Sequence, residues 1–184
     1  LYTNHISDSI SGCVLKERYD RIFLLDDTQT HKHCLPLLAD WVAANDAEVL
    51  TMEAGDVAKN LDTLARIWQQ LTEKGASRHS LLVNLGGGVV TDLGGFAAAT
   101  FKRGIEFINI PTTLLSMVDA AVGGKTGINF AGLKNEIGAF CPAAHVVIDT
   151  VFLRTLDNAN ICSGYAEMLK HALLHNAEMW ADHL

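Results

Sequence analysis

The chain has 184 residues, room for one domain of ordinary size and a small part of a second. With 49% hydrophobic and 19% charged residues it can bury a sizeable core, which excludes a disordered chain. A formal net charge of −7 excludes a general nucleic-acid binder, which needs a basic face.

The first apolar run, Arg21 to Leu25, ends at Asp26-Asp27-Thr28 and reads as a buried strand stopped by a turn. His31 to Ala44 has helical spacing, with Leu35, Leu38 and Val42 on one face. Ala47 to Met52 is a second strand. Asp56 to Lys74 is a helix whose apolar stripe is Leu61, Leu64, Ile67, Trp68 and Leu71, stopped by Gly75. Ser80 to Leu85 is a third strand, apolar enough to be covered on both faces. The β-α-β-α-β order predicts an α/β fold with a Rossmann-like parallel sheet and right-handed crossovers.

After the break at Gly86 to Gly88, Val89 to Phe101 reads as a helix of small residues. Phe107 to Ile110 is a strand ended by Pro111, and Thr112 to Ala121 is helical. The glycine-rich run Val122 to Ala139 reads as irregular or hairpin-like, and His145 to Ile148 is a strand closed by Asp149. From Ile161 to His175 a helix follows with no further strand. The predicted division is therefore an α/β domain over 1–156 and, over 157–184, the first helix of an incomplete C-terminal helical domain. No apolar run reaches the length of a membrane span, and Leu1-Tyr2-Thr3-Asn4-His5 lacks a basic-then-apolar signal pattern. Cys13, Cys34, Cys141 and Cys162 are scattered with no CxxC pair, and read as reduced structural thiols of a cytoplasmic protein.

The chemistry concentrates between Leu85 and Ala139. A strand running into Gly86-Gly87-Gly88 and then a helix is a phosphate-binding arrangement, because close backbone approach combines with free N–H groups at a helix N-terminus. The spacing is not a strict GxGxxG, since Thr91 stands where the third glycine would be, and the motif follows the third strand rather than the first. Gly123-Gly124-Lys125-Thr126 resembles the end of a P-loop, but Asp119 occupies the position of its first glycine and excludes one. Lys125, Lys134 and Arg103 are the available countercharges for an anion. Glu167, His171 and His175 repeat at i, i+4 on one helix face. As a complete metal trio they would strain a compact tetrahedral site, so Glu167 alone is read as a ligand. His31-Lys32-His33-Cys34 reads as an exposed helix start.

Several motifs occur together and in order: Leu85-Gly86-Gly87-Gly88-Val89-Val90-Thr91-Asp92, Pro111-Thr112-Thr113, Val118-Asp119, Gly123-Gly124-Lys125-Thr126-Gly127-Ile128-Asn129, Lys134-Asn135 and Gly164-Tyr165-Ala166-Glu167-Met168-Leu169-Lys170. From about Arg21 onward the chain resembles the 3-dehydroquinate synthases of the sugar-phosphate cyclase family. The resemblance implies a lyase that requires NAD and zinc, or cobalt in its place. Its reaction belongs to the shikimate pathway of aromatic amino acid biosynthesis, where 3-deoxy-arabino-heptulosonate 7-phosphate becomes 3-dehydroquinate and phosphate.

Carried onto this sequence, the family's NAD contacts fall on Asp27, Asp56, Lys59, Gly87, Gly88, Val89, Asp92, Thr112, Thr113 and Phe152-Leu153-Arg154-Thr155. Asp119, Lys125 and Lys134 match the nicotinamide and substrate region. Asp56 stands where the family has the longer Glu. Lys125 and Asn135 would hold the phosphate of a seven-carbon sugar acid, and Lys170 would face the substrate one turn after the metal ligand Glu167. Arg103 would be reached from the partner subunit of a homodimer. The family's two further metal ligands are histidines beyond position 184, which His171 and His175 do not match. These residues alone are expected to bind NAD weakly and to be inactive. Other readings on the same scaffold are an inosose or valiolone cyclase, a glycerol-dehydrogenase-like polyol dehydrogenase, and a non-catalytic nucleotide-binding remnant.

Overall fold

The computed structural model describes residues 2–3, 6–175 and 177–181. The chain opens with β1 (Tyr2–Thr3) and α1 (Ile6–Cys13), two elements absent from the sequence reading. It continues with β2 (Ile22–Asp27), α2 (Thr28–His33), α3 (Ala39–Asn45), β3 (Glu48–Met52) and α4 (Leu61–Glu73). Next come β4 (Leu81–Gly86), α5 (Gly88–Thr100), β5 (Glu106–Pro111) and the hairpin of β6 (Lys125–Phe130) and β7 (Leu133–Phe140). The short strands β8 (His145–Val146) and β9 (Ile148–Asp149) precede α6 (Asn158–His175) and α7 (Ala177–Ala181).

Five strands pair in parallel in the order β3-β2-β4-β5-β8, and β9 pairs separately with β1. This is the α/β, Rossmann-like sheet expected from the alternation. Side chains alternate across it into two cores. Phe23, Leu25 and Leu82 face α4 and α5, where Leu64, Ile67, Val90 and Leu93 meet them. Ile22, Leu24, Leu81 and Val83 face the other side, against Ile10, Leu38 and Trp41. At Gly94 the packing of α5 on the sheet is so close that a Cβ would collide with the Asn84 side chain and lie 2.8 Å from Leu25 Cδ2.

Three predicted helices differ in detail. His31 to Ala44 is not one helix but α2, a 3-10 turn over Leu35–Leu38 and α3, because Pro36 lacks the N–H that a continuous ladder needs. Asp56 to Lys74 is likewise divided. A 3-10 turn at Asp56–Ala58 comes first, and α4 starts only where Asn60 Oδ1 accepts from the Thr63 N–H at 2.9 Å. In the predicted helix Thr112 to Ala121, the turn over Ser116–Ala120 is π-helical. The glycine-rich run is a true hairpin: Phe130 pairs with Leu133 across Ala131 and Gly132, whose φ values of 50° and 82° suit a tight two-residue turn. No described helix is long and apolar enough to cross a membrane.

Candidate functional site

The sheet order reverses between β2 and β4: β3 lies outside β2, while β5 and β8 continue beyond β4. In open α/β sheets ligands bind at the carboxyl ends of the strands beside such a reversal. Both flanking strands end in chemistry here. β2 ends at Asp27, and β4 runs into Gly86-Gly87-Gly88. A glycine loop after the third strand, odd by the usual fingerprint, therefore still faces the crevice.

Above these ends is a cavity of about 700 Å³. Its lining includes Asp27, Asp56, Lys59, Gly87, Gly88, Val89, Asp92, Thr112, Thr113 and Thr155. Gly87 is the N-cap of α5, and a Cβ there would stand 3.0 Å from Thr113 Cγ2. The N–H groups at the start of α5 thus open onto the cavity without a side chain in front, a cradle that fits a dinucleotide pyrophosphate. Asp27 caps α2, its Oδ1 accepting from the Gln29 and Thr30 N–H groups at 2.8 Å each. Of the remaining residues matched to the cofactor, Phe152 is buried in the core, Leu153 borders an apolar groove beside α6, and Arg154 is exposed.

A second cavity of about 430 Å³ adjoins the first, sharing Asp92 and Ala120 with it. It is lined by Asp119, Lys125, Thr126 and Asn135, so the hairpin supplies one cation and one amide facing an open space. Lys134 points elsewhere and pairs with Asp56 at 3.1 Å. That hydrogen bond holds the Asp56 carboxyl below the usual carboxylate range. Arg103 is exposed, with φ 70°, in the turn that follows α5. It lies at the opposite end of that helix from the glycine loop, about 20 Å away by helical rise.

The third component is α6. Donor atoms of Asp119, Glu167 and His171 lie within 4.8 Å of one another. His171 Nε2 is 3.5 Å from Glu167 Oε1 and 3.7 Å from Asp119 Oδ1, and it is buried with no hydrogen-bond partner. Two carboxylates and an imidazole without a donor to satisfy it fit a divalent metal. Lys170 occupies part of the same space, its ammonium paired with Glu167 Oε1. By spacing alone His171 and His175 are equivalent. The structure separates them: His171 turns to Glu167, His175 borders the apolar groove, and Asp119 takes the third place.

Two polar clusters escaped sequence reading. Asp26 is fully buried beside Asp27, with His31 Nδ1 at 2.9 Å from Oδ2 and no partner on Oδ1, and burial pushes its carboxyl up. The acidic pair at the end of an apolar strand was the available signal. In the other cluster Lys59, 5% exposed, donates to Asp92 Oδ2 and to Asn135 Oδ1, each at 2.5 Å. Burial raises the Asp92 carboxyl, and Lys59 and Lys125 oppose that rise. Among the thiols, Cys34 is buried and pushed up to about 11 by burial, which makes it inert, as its reading required.

A family model described as 3-dehydroquinate synthase N-terminal matches residues 49–163. The 3-dehydroquinate synthase of Parabacteroides distasonis is 62% identical over 165 residues, which is 90% of this chain and 47% of that protein. Among solved structures, a 2-epi-5-epi-valiolone synthase from Streptomyces hygroscopicus subsp. jinggangensis with NAD+ and Zn2+ bound superposes with a TM-score of 0.87. It is 32% identical, over 97% of this chain and 50% of that one. A 2-deoxy-scyllo-inosose synthase complexed with carbaglucose-6-phosphate, NAD+ and Co2+ also gives 0.87, at 25% identity over 94% of this chain and 48% of that one. The chain spans about half the length of the curated relatives it matches. With more than half of its residues matched by the family model and a relative this near in sequence, the chain belongs to the 3-dehydroquinate synthase family.

Proposed function

We propose that the chain forms the cofactor-binding and phosphate-binding walls of a 3-dehydroquinate synthase. The whole enzyme converts 3-deoxy-arabino-heptulosonate 7-phosphate to 3-dehydroquinate and phosphate. The observation that carries this reading is the pair of cavities meeting at Asp92 and Ala120, one with a glycine cradle and one with Lys125 and Asn135. The shared wall at Asp92 and Ala120 would bring a dinucleotide held in the first beside a phosphorylated substrate held in the second.

Residues 1–156 make the NAD-binding domain, and 157–184 open the metal-binding helical domain. NAD would be held by Asp27, Asp56, Lys59, the loop Gly87 to Asp92, Thr112, Thr113 and the turn Phe152 to Thr155, and the metal by Glu167, with His171 and Asp119 as the donor groups beside it. When bound, NAD supplies transient oxidation of a ring hydroxyl, and a divalent metal polarises the oxygens of the reacting centre. Lys125 donates to the phosphate as a point charge and Asn135 adds an amide donor. Asp119 stands between the two cavities and α6, where its carboxylate can accept from a substrate hydroxyl. Lys170, one turn after Glu167, neutralises that carboxylate and presents a donor to the same space. Arg103, far from its own chain's site, suits a homodimer in which it serves the neighbouring subunit. The same reading proposes a cytoplasmic enzyme with no membrane or nucleic-acid partner.

A chimera tests the reading: this chain replaces the matching half of the Parabacteroides distasonis relative. It is expected to release phosphate from the seven-carbon substrate with no net NADH. A folded, NAD-binding chimera that instead accumulates NADH from a polyol would overturn it in favour of a dehydrogenase.

A further inference from the structure

Lys59 does more in this fold than line the cofactor cavity. It closes a ring of hydrogen bonds with two residues of the distant hairpin, Asn129 and Asn135. Lys59 Nζ donates to Asn135 Oδ1 at 2.5 Å, the Asn135 N–H donates to Asn129 Oδ1 at 3.0 Å, and the Asn129 N–H donates to Lys59 O at 2.8 Å. The ring ties the segment before α4 to both strands of the β6–β7 hairpin. Asp92 on α5 anchors it through the second Lys59 bond.

The direction of the Lys59–Asn135 bond follows from chemistry. An ammonium has donors and no acceptor, so only the amide oxygen of Asn135 can face it. That partner fixes the orientation of the amide. Nδ2 then occupies the opposite branch of the planar amide, turned away from Lys59, and Asn135 lines the cavity of Lys125. The backbone assists: Asn135 has φ 54°, a left-handed conformation that asparagine tolerates better than most residues, held by the Asn129 side chain.

We propose that Lys59 is a positioning residue for the phosphate site, fixing Asn135 so that its Nδ2 is presented as a donor beside Lys125. The inference rests on the reading of that cavity as the phosphate site. A free asparagine can turn either end of its amide to the cavity; only the nitrogen donates to an anion, and the oxygen repels it. With Lys59 on the oxygen, the repulsive orientation is removed. The same ammonium neutralises Asp92, the one carboxylate on the wall shared with the cofactor cavity.

The test titrates the isotopically labelled chain with inorganic phosphate, reading the Asn135 side-chain amide resonances and the apparent affinity. Lys59→Met is expected to weaken phosphate binding about ten-fold, the size of one hydrogen bond to a charged group, and to abolish the phosphate-induced shift of the Asn135 amide. Asn135→Ala is expected to cost the same, and the double variant no more than either, because both remove one donor. Lys59→Arg should restore most of the affinity. Asn129→Ala leaves the buried ammonium in place and guards against a Lys59→Met chain that does not fold. It should weaken phosphate binding about three-fold through loss of the backbone hold, a smaller version of the same effect. Additive losses from Lys59→Met and Asn135→Ala, or unchanged affinity in both Lys59→Met and Asn129→Ala, overturn the positioning role. If Lys125→Met and Asn135→Ala themselves leave phosphate binding unchanged, the phosphate reading fails first, and this inference with it.

Discussion

Helices α5 and α6 both carry site residues, yet they are held in opposite ways. Eight of the thirteen residues of α5 are buried, and it lies between the sheet and the hairpin. Only Gly164 and Ala172 are buried among the eighteen of α6, with Leu173 and Leu174 at 65% and 76% exposure. The cofactor wall is thus built of backbone pressed into a two-sided core, where position is set by packing. The wall that carries Glu167 is a helix held from one side, and its position depends on the contacts of a few side chains. Precision on the first side comes from crowding along the whole helix, and on the second from one close approach, Gly164 against Leu114 and Leu115, with the charges of Glu167, Lys170 and His171 around it.

The largest effect should come from crowding α5 further. Gly94→Val forces the helix off Asn84 and Leu25, at a cost of about 3 kcal/mol, with a fall in Tm of roughly 6–12 °C on thermal unfolding. A fall under about 2 °C would show that α5 has room to move and would break the contrast. Next in size is metal addition. Zinc should slow amide hydrogen exchange in α6 about ten-fold while leaving α5 unchanged, and Glu167→Gln should remove that protection. Equal slowing of both helices would mean that zinc acts on the domain as a whole.

A smaller effect concerns pH. Because burial raises the folded-state Asp26 carboxyl above the ordinary aspartate value of 3.8, the folded chain binds more protons than the unfolded one in the window above that value. Stability present below that value is therefore lost as pH rises through the folded-state pKa. Asp26→Asn should remove this part of the slope, measured as the difference between urea-denaturation stabilities of the two chains across pH. Parallel curves would locate the slope elsewhere. The smallest change is expected from Leu173→Glu on the outer face of α6, within about 0.5 kcal/mol of the parent in the same measurement.

The cofactor wall was legible in sequence because its causes are local. An apolar run meant a covered strand, three glycines meant a close approach, and the helix start behind them followed. The site's other half depends on rotation and distance. His171 and His175 share a helix face by spacing, and only the packing of α6 against the π-helical turn decides that His171 meets Asp119 and Glu167. The ring of Lys59, Asn129 and Asn135 spans elements with no periodic relation, so no window of sequence could have joined them. Local rules failed in a different way at Pro36, where an apolar stripe at helical spacing outweighed a residue that cannot continue a helix.

The π-helical turn at Ser116–Ala120 fixes the direction of Asp119. Such a turn amounts to one residue inserted into an ordinary helix. Deleting a residue just before Asp119 while the helix keeps its winding would turn Asp119 by about 100° around the axis. Asp119 would then point away from Glu167 while every side chain of the site remained in the chain. The meeting of the two walls is encoded here in a count of residues, and a single-codon deletion could erase it without changing the identity of any ligand.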